Sequence, residues 1–432
     1  MDFSIPQDIQ DKIAELDAFI EKEIKPLENE NIQFFDKRRE HARTDWDNDG
    51  VPRKEWSELL REMKRRADKA GHLRFALPKE LGGQNGSNLA MAYIREHFAA
   101  KGLGLHNDLQ DESSIVGNFP LVNILHKYGS PEQKEKYIED IITGRQYMAF
   151  GLTEPDHGSD ATWMETTARR DGDSWIINGA KRWNSAVHKA SVDLIFARTS
   201  GKAGDAKGIT GFIVPIDAPG LKIEYYHWTF NMPTDHAEVS IRDVRVPDSA
   251  ILYKEGEGLT LAQSFVHQNR IRQAASSVGA ARYCIAEAAK YARERKTFGK
   301  ALAEHQAIQF PLAELHAEAE MLRHFIYKVA WQLDHQDHME ISDLVSIANY
   351  RANRLVCQAA DQAMQVHGGL GYSRGKPFEH IYRHHRRYRI TEGSEEIQIR
   401  KVAAYLFGYI GPNARKKPKA EGAPDASLAA AR

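Results

Sequence analysis

Cysteine is scarce: only Cys284 and Cys357 occur in 432 residues. Both lie in helical-looking apolar stretches, and they build neither a disulfide framework nor a zinc spacing, which suits a reducing compartment. No uninterrupted apolar run reaches the roughly 18 residues that a membrane span needs. The N-terminus, MDFSIPQDIQDKIAELD, is acidic and has no apolar stretch, which is not the pattern of a signal peptide. Neither charge is in excess: Lys+Arg 59 against Asp+Glu 60 gives a net charge of -1. That balance argues against a polyanion binder, although a local basic patch stays open. No G-x-G-x-x-G follows a strand-like run, so a Rossmann nucleotide site is not expected. There is no internal repeat.

What is present is 42% apolar residues, ample for a sizeable core. The length corresponds to roughly three ordinary domains. Residues 1–147 show helical spacing between breaks at Leu81-Gly82-Gly83 and Gly129-Ser130-Pro131. Residues 148–257 carry short β-branched and aromatic runs: Trp175 to Asn178, Val192 to Ala197, Gly211 to Ile216, Leu221 to Tyr226 and Val239 to Val246. Asp171-Gly172 and Asn178-Gly179 read as tight turns between them. A small antiparallel β-domain, barrel or sandwich, is expected there. Residues 258–410 return to long helices. The stripes Leu312, Leu315, Ala319, Leu322, Ile326, Val329, Leu333 and Ile341, Leu344, Ala348, Ala352, Leu355, Ala359, Ala363, Val366 each need a partner helix, which predicts a bundle. The tail, 411–432, has no apolar face and is expected to be disordered.

Several stretches carry chemistry. In residues 150–186, Thr153, Ser159, Ser185 and the amides near Gly158 offer hydrogen bonds, and Trp183 offers a flat wall; a turn-rich domain edge would look the same. In residues 293–310, Arg293, Arg295 and Lys296 end one helix before a break at Gly299. Cations favour a helix C-terminus, and Arg295 also fits a pyrophosphate clamp. "QVHGGLGY", 365–372, is a helix C-cap or a close backbone approach to a ligand. His335 with His338, and His384 with His385, form no converging metal set, so no metal is expected. The basic run Arg374 to Arg389 lacks a nucleic-acid motif, and no nucleic-acid partner is expected. After that run, Glu392 stands before Gly393 and Ser394 at a helix start, a place where a carboxylate is favoured in any case.

Together, "LTEPDHGSD", "INGAKRWNSA", "RKTFGKALAEHQAIQ", "QVHGGLGY" and "TEGSEEIQ" resemble the acyl-CoA dehydrogenase family over roughly residues 5–410, in order. The resemblance implies a mainly α chain: an N-terminal helical domain, a middle antiparallel β-barrel and a C-terminal four-helix bundle. It implies FAD between the last two. Leu152, Thr153, Trp183 and Ser185 would contact its ring system. Arg295, Thr297 and Phe298 would reach FAD, often that of a neighbouring subunit. His305, Gln306, the loop Gln365, Val366, His367, Gly368, Gly369, and Ser394 would hold the rest. Ser159, Arg270 and Gly393 would serve the CoA substrate. Sharing of the cofactor implies a homo-oligomer, a dimer of dimers.

By the same resemblance Glu392 is the base that removes the α-proton of an acyl-CoA thioester, with hydride transfer to flavin N5 and a trans-2-enoyl-CoA product. In the family, the backbone N–H of this glutamate and a ribityl hydroxyl stabilise the thioester oxygen. Burial beside apolar substrate would raise the Glu392 pKa toward the working pH. Some branches carry the base on an earlier helix, but that position here is Asn269, which cannot act as one. The implied setting is a bacterial-type cytoplasm or a mitochondrial matrix, in fatty acid metabolism, with an electron-transferring flavoprotein as acceptor. An acyl-CoA oxidase, another flavin reaction on the same scaffold and a non-enzymatic scaffold remain as alternatives. The sequence departs from the family pattern at Thr391, at Asp156-His157, at His267, in "RHHRR" and in extra residues around 36–56, which leaves the acyl group open.

Overall fold

The computed structural model describes residues 4–108, 113–412 and 414. The N-terminal part begins with helix α1 (Gln7–Phe19), which runs through a π-helical turn, Ile20–Ile24, into α2 (Lys25–Glu30). Then come α3 (Arg39–Arg43), the two-residue strands β1 (Thr44–Asp45) and β2 (Val51–Pro52), α4 (Lys54–Lys69) and α5 (Asn88–Ala100). Helices α6 (Pro120–Tyr128) and α7 (Pro131–Thr143) complete it. The break expected at Gly129-Ser130-Pro131 is the start of α7, where Ser130 and Gln133 cap each other reciprocally.

The extra residues after Phe35 tie the three parts of the chain together. Arg39 donates to the carbonyls of Arg374 and Lys376 and pairs with Glu379 at 2.8 Å. Glu40 pairs with Arg374 and Arg383 at 2.7 and 2.9 Å. Asp49 accepts from the Tyr226 amide and the Trp228 indole.

The middle part contains β3 (Met148–Gly151), β4 (Thr167–Asp171), β5 (Ser174–Ser185), β6 (Val192–Arg198), β7 (Ile209–Pro215), β8 (Leu221–Tyr226), β9 (His236–Pro247) and β10 (Ile251–Leu252). Their pairings follow the open path β10-β7-β6-β4-β5-β9-β8. Trp175, Ile177, Ile195, Phe212, Val239, Ile241 and Val246 share one core, so the sheet curves around it. Most pairs are antiparallel, as expected. The departures are β3, which runs parallel to β6, and β4, which meets β6 in parallel at Thr167 and Arg198. The long connection through β4 and β5 permits a parallel return. Asn178-Gly179 is not a turn. It is a bulge within β5, held by two hydrogen bonds between Asn178 and Asp243 across the strand pair.

The C-terminal part has three long helices: α8 (Gly258–Glu294), α9 (Gln306–Leu333) and α10 (Ser342–His367). A hairpin of β11 (Lys296–Thr297) and β12 (Lys300–Ala301) joins the first two. Short helices follow: α11 (Gly369–Tyr372), α12 (Phe378–Arg387) and α13 (Glu395–Leu406). The two apolar stripes read from the sequence meet in one core with α5 and α8. Gly279 allows a close crossing: a Cβ there would lie 2.2 Å from the Glu96 carbonyl oxygen on α5. The shorter α12 and α13 pack mainly on α10.

The basic run is engaged within the chain. His384 and His385 are buried, Arg383 pairs with Glu40 and Glu379, and Arg389 pairs with Glu395. Residues 415–432, most of the tail expected to be disordered, lie outside the described residues, as does the side chain of His267. Among the described residues no helix is long and apolar enough to cross a membrane, and no group of His, Cys, Asp or Glu is arranged to hold a metal.

Candidate active site

Glu392 sits in the loop between α12 and α13, with a backbone φ of 56°. A left-handed glutamate costs on the order of 1–3 kcal/mol and must be held by its surroundings. Arg270 on α8 supplies that hold, donating from Nε (3.0 Å) and from Nη2 to the Glu392 carbonyl. Gly393 follows at φ 83°; a Cβ there would meet Arg270 Nη2 at 2.8 Å. On the far side of the loop, Glu395 accepts from Arg389 and Arg354. The bond to Arg389 is the larger effect, and together these cations hold the Glu395 carboxyl at about 2, against a partial desolvation. The cations beside the loop therefore brace its ends, and the Glu392 side chain is left half-buried.

Asn269 does touch the candidate base. Its Nδ2 donates to Glu392 Oε1 at 3.4 Å. Its Oδ1 accepts from Asn118 at 3.0 Å, and Asn118 accepts in turn from Arg272. Asn118 and Arg272 went unmarked in the sequence. The signal for Arg272 was an arginine inside "IRQAASSVGAA", a stretch otherwise made for burial.

The second cluster lies where β3 ends and β5 finishes. Thr153 accepts from the Arg182 amide at 2.9 Å, and the Leu152 carbonyl accepts from Lys181 Nζ at 3.3 Å. Ser185 Oγ lies 2.7 Å from His236 Nδ1. Trp183, at φ 59°, is 49% exposed and leans on His227. A half-exposed indole beside the Ser185 hydroxyl and His236 forms a flat, partly polar shelf. Ser159 is exposed in the adjoining loop. Beneath the shelf, Lys181 is fully buried and pairs with Glu154 at 2.9 Å. Burial lowers Lys181 to about 8, against the pull of Glu154. Glu154 also accepts from the amides of Glu165 and Thr166. Burial raises Asp193 to about 6 despite its bond from Asn184.

The third cluster is at the other end of α8. Arg295 caps that helix, Thr297 and Phe298 form the hairpin, and His305 and Gln306 open α9. His367 stacks on Tyr291 at 4.3 Å, which brings the 365–369 loop to the same end. His305 Nε2 and His367 Nε2 are buried without a partner, and the spaces around Gly368 and Gly369 are open. Buried ring nitrogens without a partner next to open space suit a polar ligand. Ser394 precedes α13 without capping it through its side chain. Arg270 and Arg295 are 25 residues apart on one helical run, about 37 Å at the usual rise. The Glu392 cluster and the Arg295 cluster of one chain thus lie far apart.

Family models described as the N-terminal, middle and C-terminal domains of acyl-CoA dehydrogenase match residues 7–145, 149–244 and 256–407. A 3-(aryl)acrylate reductase of Clostridium sporogenes is 34% identical over 81% of this chain and 91% of its own length. The CarC subunit of the caffeyl-CoA reductase-Etf complex of Acetobacterium woodii is 32% identical over 82% of this chain and 91% of its own. A solved glutaryl-CoA dehydrogenase of Mycobacterium smegmatis in complex with FADH2 superposes with a TM-score of 0.75 at 25% identity, covering 94% of this chain and 95% of that one. The chain belongs to the acyl-CoA dehydrogenase family, whose members are FAD-dependent oxidoreductases.

Proposed function

We propose that the protein catalyses α,β-dehydrogenation of an acyl-CoA thioester, with Glu392 as the base that takes the α-proton. The observation that carries this is the built setting of Glu392: a left-handed backbone gripped through its carbonyl by Arg270, and a carboxylate steadied by Asn269. A proton acceptor held in one orientation is what proton abstraction beside a thioester requires. The Arg270 bonds hold the Glu392 carbonyl on one side of the residue; to its amide, in the preceding peptide group, we assign the thioester oxygen, where negative charge develops. FAD, when bound, supplies the acceptor for the β-hydride.

The shelf of Leu152, Thr153, Trp183 and Ser185 is assigned to the flavin ring, with Ser394 beside it and Ser159 and Gly393 toward the CoA ester. Arg295, Thr297, Phe298, His305, Gln306 and the loop Gln365, Val366, His367, Gly368, Gly369 are assigned to the remainder of the cofactor of a second copy. The separation of about 37 Å along α8 supports that sharing. So does the exposed apolar surface there, with Phe298 97% and Tyr372 91% exposed. A dimer of dimers in a cytoplasmic setting follows from this reading.

An electron-transferring flavoprotein is the proposed acceptor, in keeping with the Etf complex named for the Acetobacterium relative. The two relatives named as reductases carry the same chain plan, and Glu392 would then return the proton in the reverse reaction. The Glu392→Gln variant is expected to keep FAD and CoA-ester binding and to lose turnover by about 1,000-fold. Near-normal turnover in that variant would remove Glu392 from the role.

A further inference from the structure

Behind Glu392, between α5, α8 and α12, lies a small cavity of ≈ 30 Å³ whose walls include Asn118, Asn269, Arg272, Gln273, Ser276 and His384. It has room for about two water-sized groups, the size of a carboxylate. Asn269 links it to the candidate base: it lines the cavity and bonds to both Glu392 and Asn118. A simple alkyl tail is poorly served by such walls, because it would strip water from amides and a guanidinium and give no hydrogen bond in return.

Among the described residues, one charge at the cavity lacks a counter-ion. Asp108 lines it, but its carboxylate pairs with the buried Arg43 at 3.0 Å. Arg95 also lines it and donates to Asn107 and to the Val116 carbonyl. Arg272 is 8% exposed and donates to the Asn118 side chain, while its Nε has no partner. Among the described residues no carboxylate pairs with it. Glu392 does not serve, since two amide side chains stand between them. Burial and the neighbouring Arg95 lower Arg272 to about 9, which leaves it cationic at neutral pH. A buried cation without a counter-ion costs several kcal/mol and is kept where something else supplies the anion.

We propose that this cavity is a subsite for a free carboxylate at the far end of the acyl group, bound by Arg272 with Asn118 and Gln273 at its side. Resting on the dehydrogenation reading, this names the substrate class: short dicarboxylic acids carried as mono-CoA thioesters, with the free carboxylate a few carbons beyond the reacting bond.

The test uses the FAD-loaded enzyme and two matched ester pairs, glutaryl-CoA with pentanoyl-CoA and adipyl-CoA with hexanoyl-CoA. The wild type is expected to favour the carboxylate-bearing member of at least one pair by about 100-fold in kcat/KM. Arg272→Met is expected to reverse that preference. Calorimetric titration of the same esters into Glu392→Gln, which does not turn over, should show the preference in Kd, so that binding is read apart from chemistry. Retained FAD absorbance reports that Arg272→Met is folded; if it is not, the wild-type ratio and the Glu392→Gln titration still decide. A wild-type preference for the alkyl esters would overturn the subsite and leave the dehydrogenation reading standing. Tight binding of a dicarboxylic ester without turnover would keep the subsite and overturn the dehydrogenation reading.

Discussion

Lys181 and Arg272 are both buried cations, and they are treated differently. Lys181, under the shelf on β5, has Glu154 at 2.9 Å and the Leu152 carbonyl at 3.3 Å. Glu154 in turn is satisfied by two backbone amides. Arg272, behind the loop of Glu392, has one amide oxygen and, among the described residues, no carboxylate. The first network is closed and holds a surface in place. The second is incomplete, with the Arg272 Nε unpartnered at the wall of a cavity. Burial of charge is tolerable when partners complete it, and an incomplete set marks where a ligand is awaited.

Breaking the closed network should have the largest effect on stability. Glu154→Gln leaves Lys181 buried against a neutral amide, and an expected loss of about 3–5 kcal/mol should appear as a lowered melting temperature. An unchanged melting temperature would mean that Lys181 draws little from Glu154.

Asp193, beside the same lysine, sharpens the comparison through pH. Its folded pKa is raised from 3.8 to about 6, mainly by burial. A raised carboxyl pKa gives stability that is complete below pH 3.8 and lost as pH rises through about 6. Relative to Asp193→Asn, the wild type should therefore lose about 3 kcal/mol between pH 4 and pH 7. Paired urea denaturation across that range reads the difference, and parallel curves would remove Asp193 from the account.

The open site should respond least. Arg272→Met removes an uncompensated charge, so stability is expected to stay level or rise by on the order of 1 kcal/mol. A fall as large as that of Glu154→Gln would mean that Arg272 is a structural cation like Lys181.

The features legible in the sequence were those carried by contiguous residues. The loop of Glu392, the stripes of α9 and α10, and the change from helical to alternating pattern near residue 148 are local signals. Strand β4 was not legible, because Thr167 to Asp171 is charged and mostly exposed. Asn178-Gly179 carries a turn signature that the register with Asp243 overrides. The partnership of Glu154 with Lys181, and the relay from Arg272 through Asn118 and Asn269 to Glu392, join residues far apart in the chain. Such pairings exist only once the helices and strands are packed. The same holds for the basic run, which reads as a surface patch and is in fact held by Glu40, Glu379 and Glu395.

The measurement that bears most directly on the central claim is anaerobic. Purified protein loaded with FAD is mixed with acyl-CoA esters one at a time, and the visible flavin absorbance is followed in the wild type and in Glu392→Gln. The account predicts that at least one ester bleaches the wild type rapidly and that the same ester leaves Glu392→Gln yellow over the same time. Equal bleaching of both proteins, or a wild type that no ester bleaches, would contradict it.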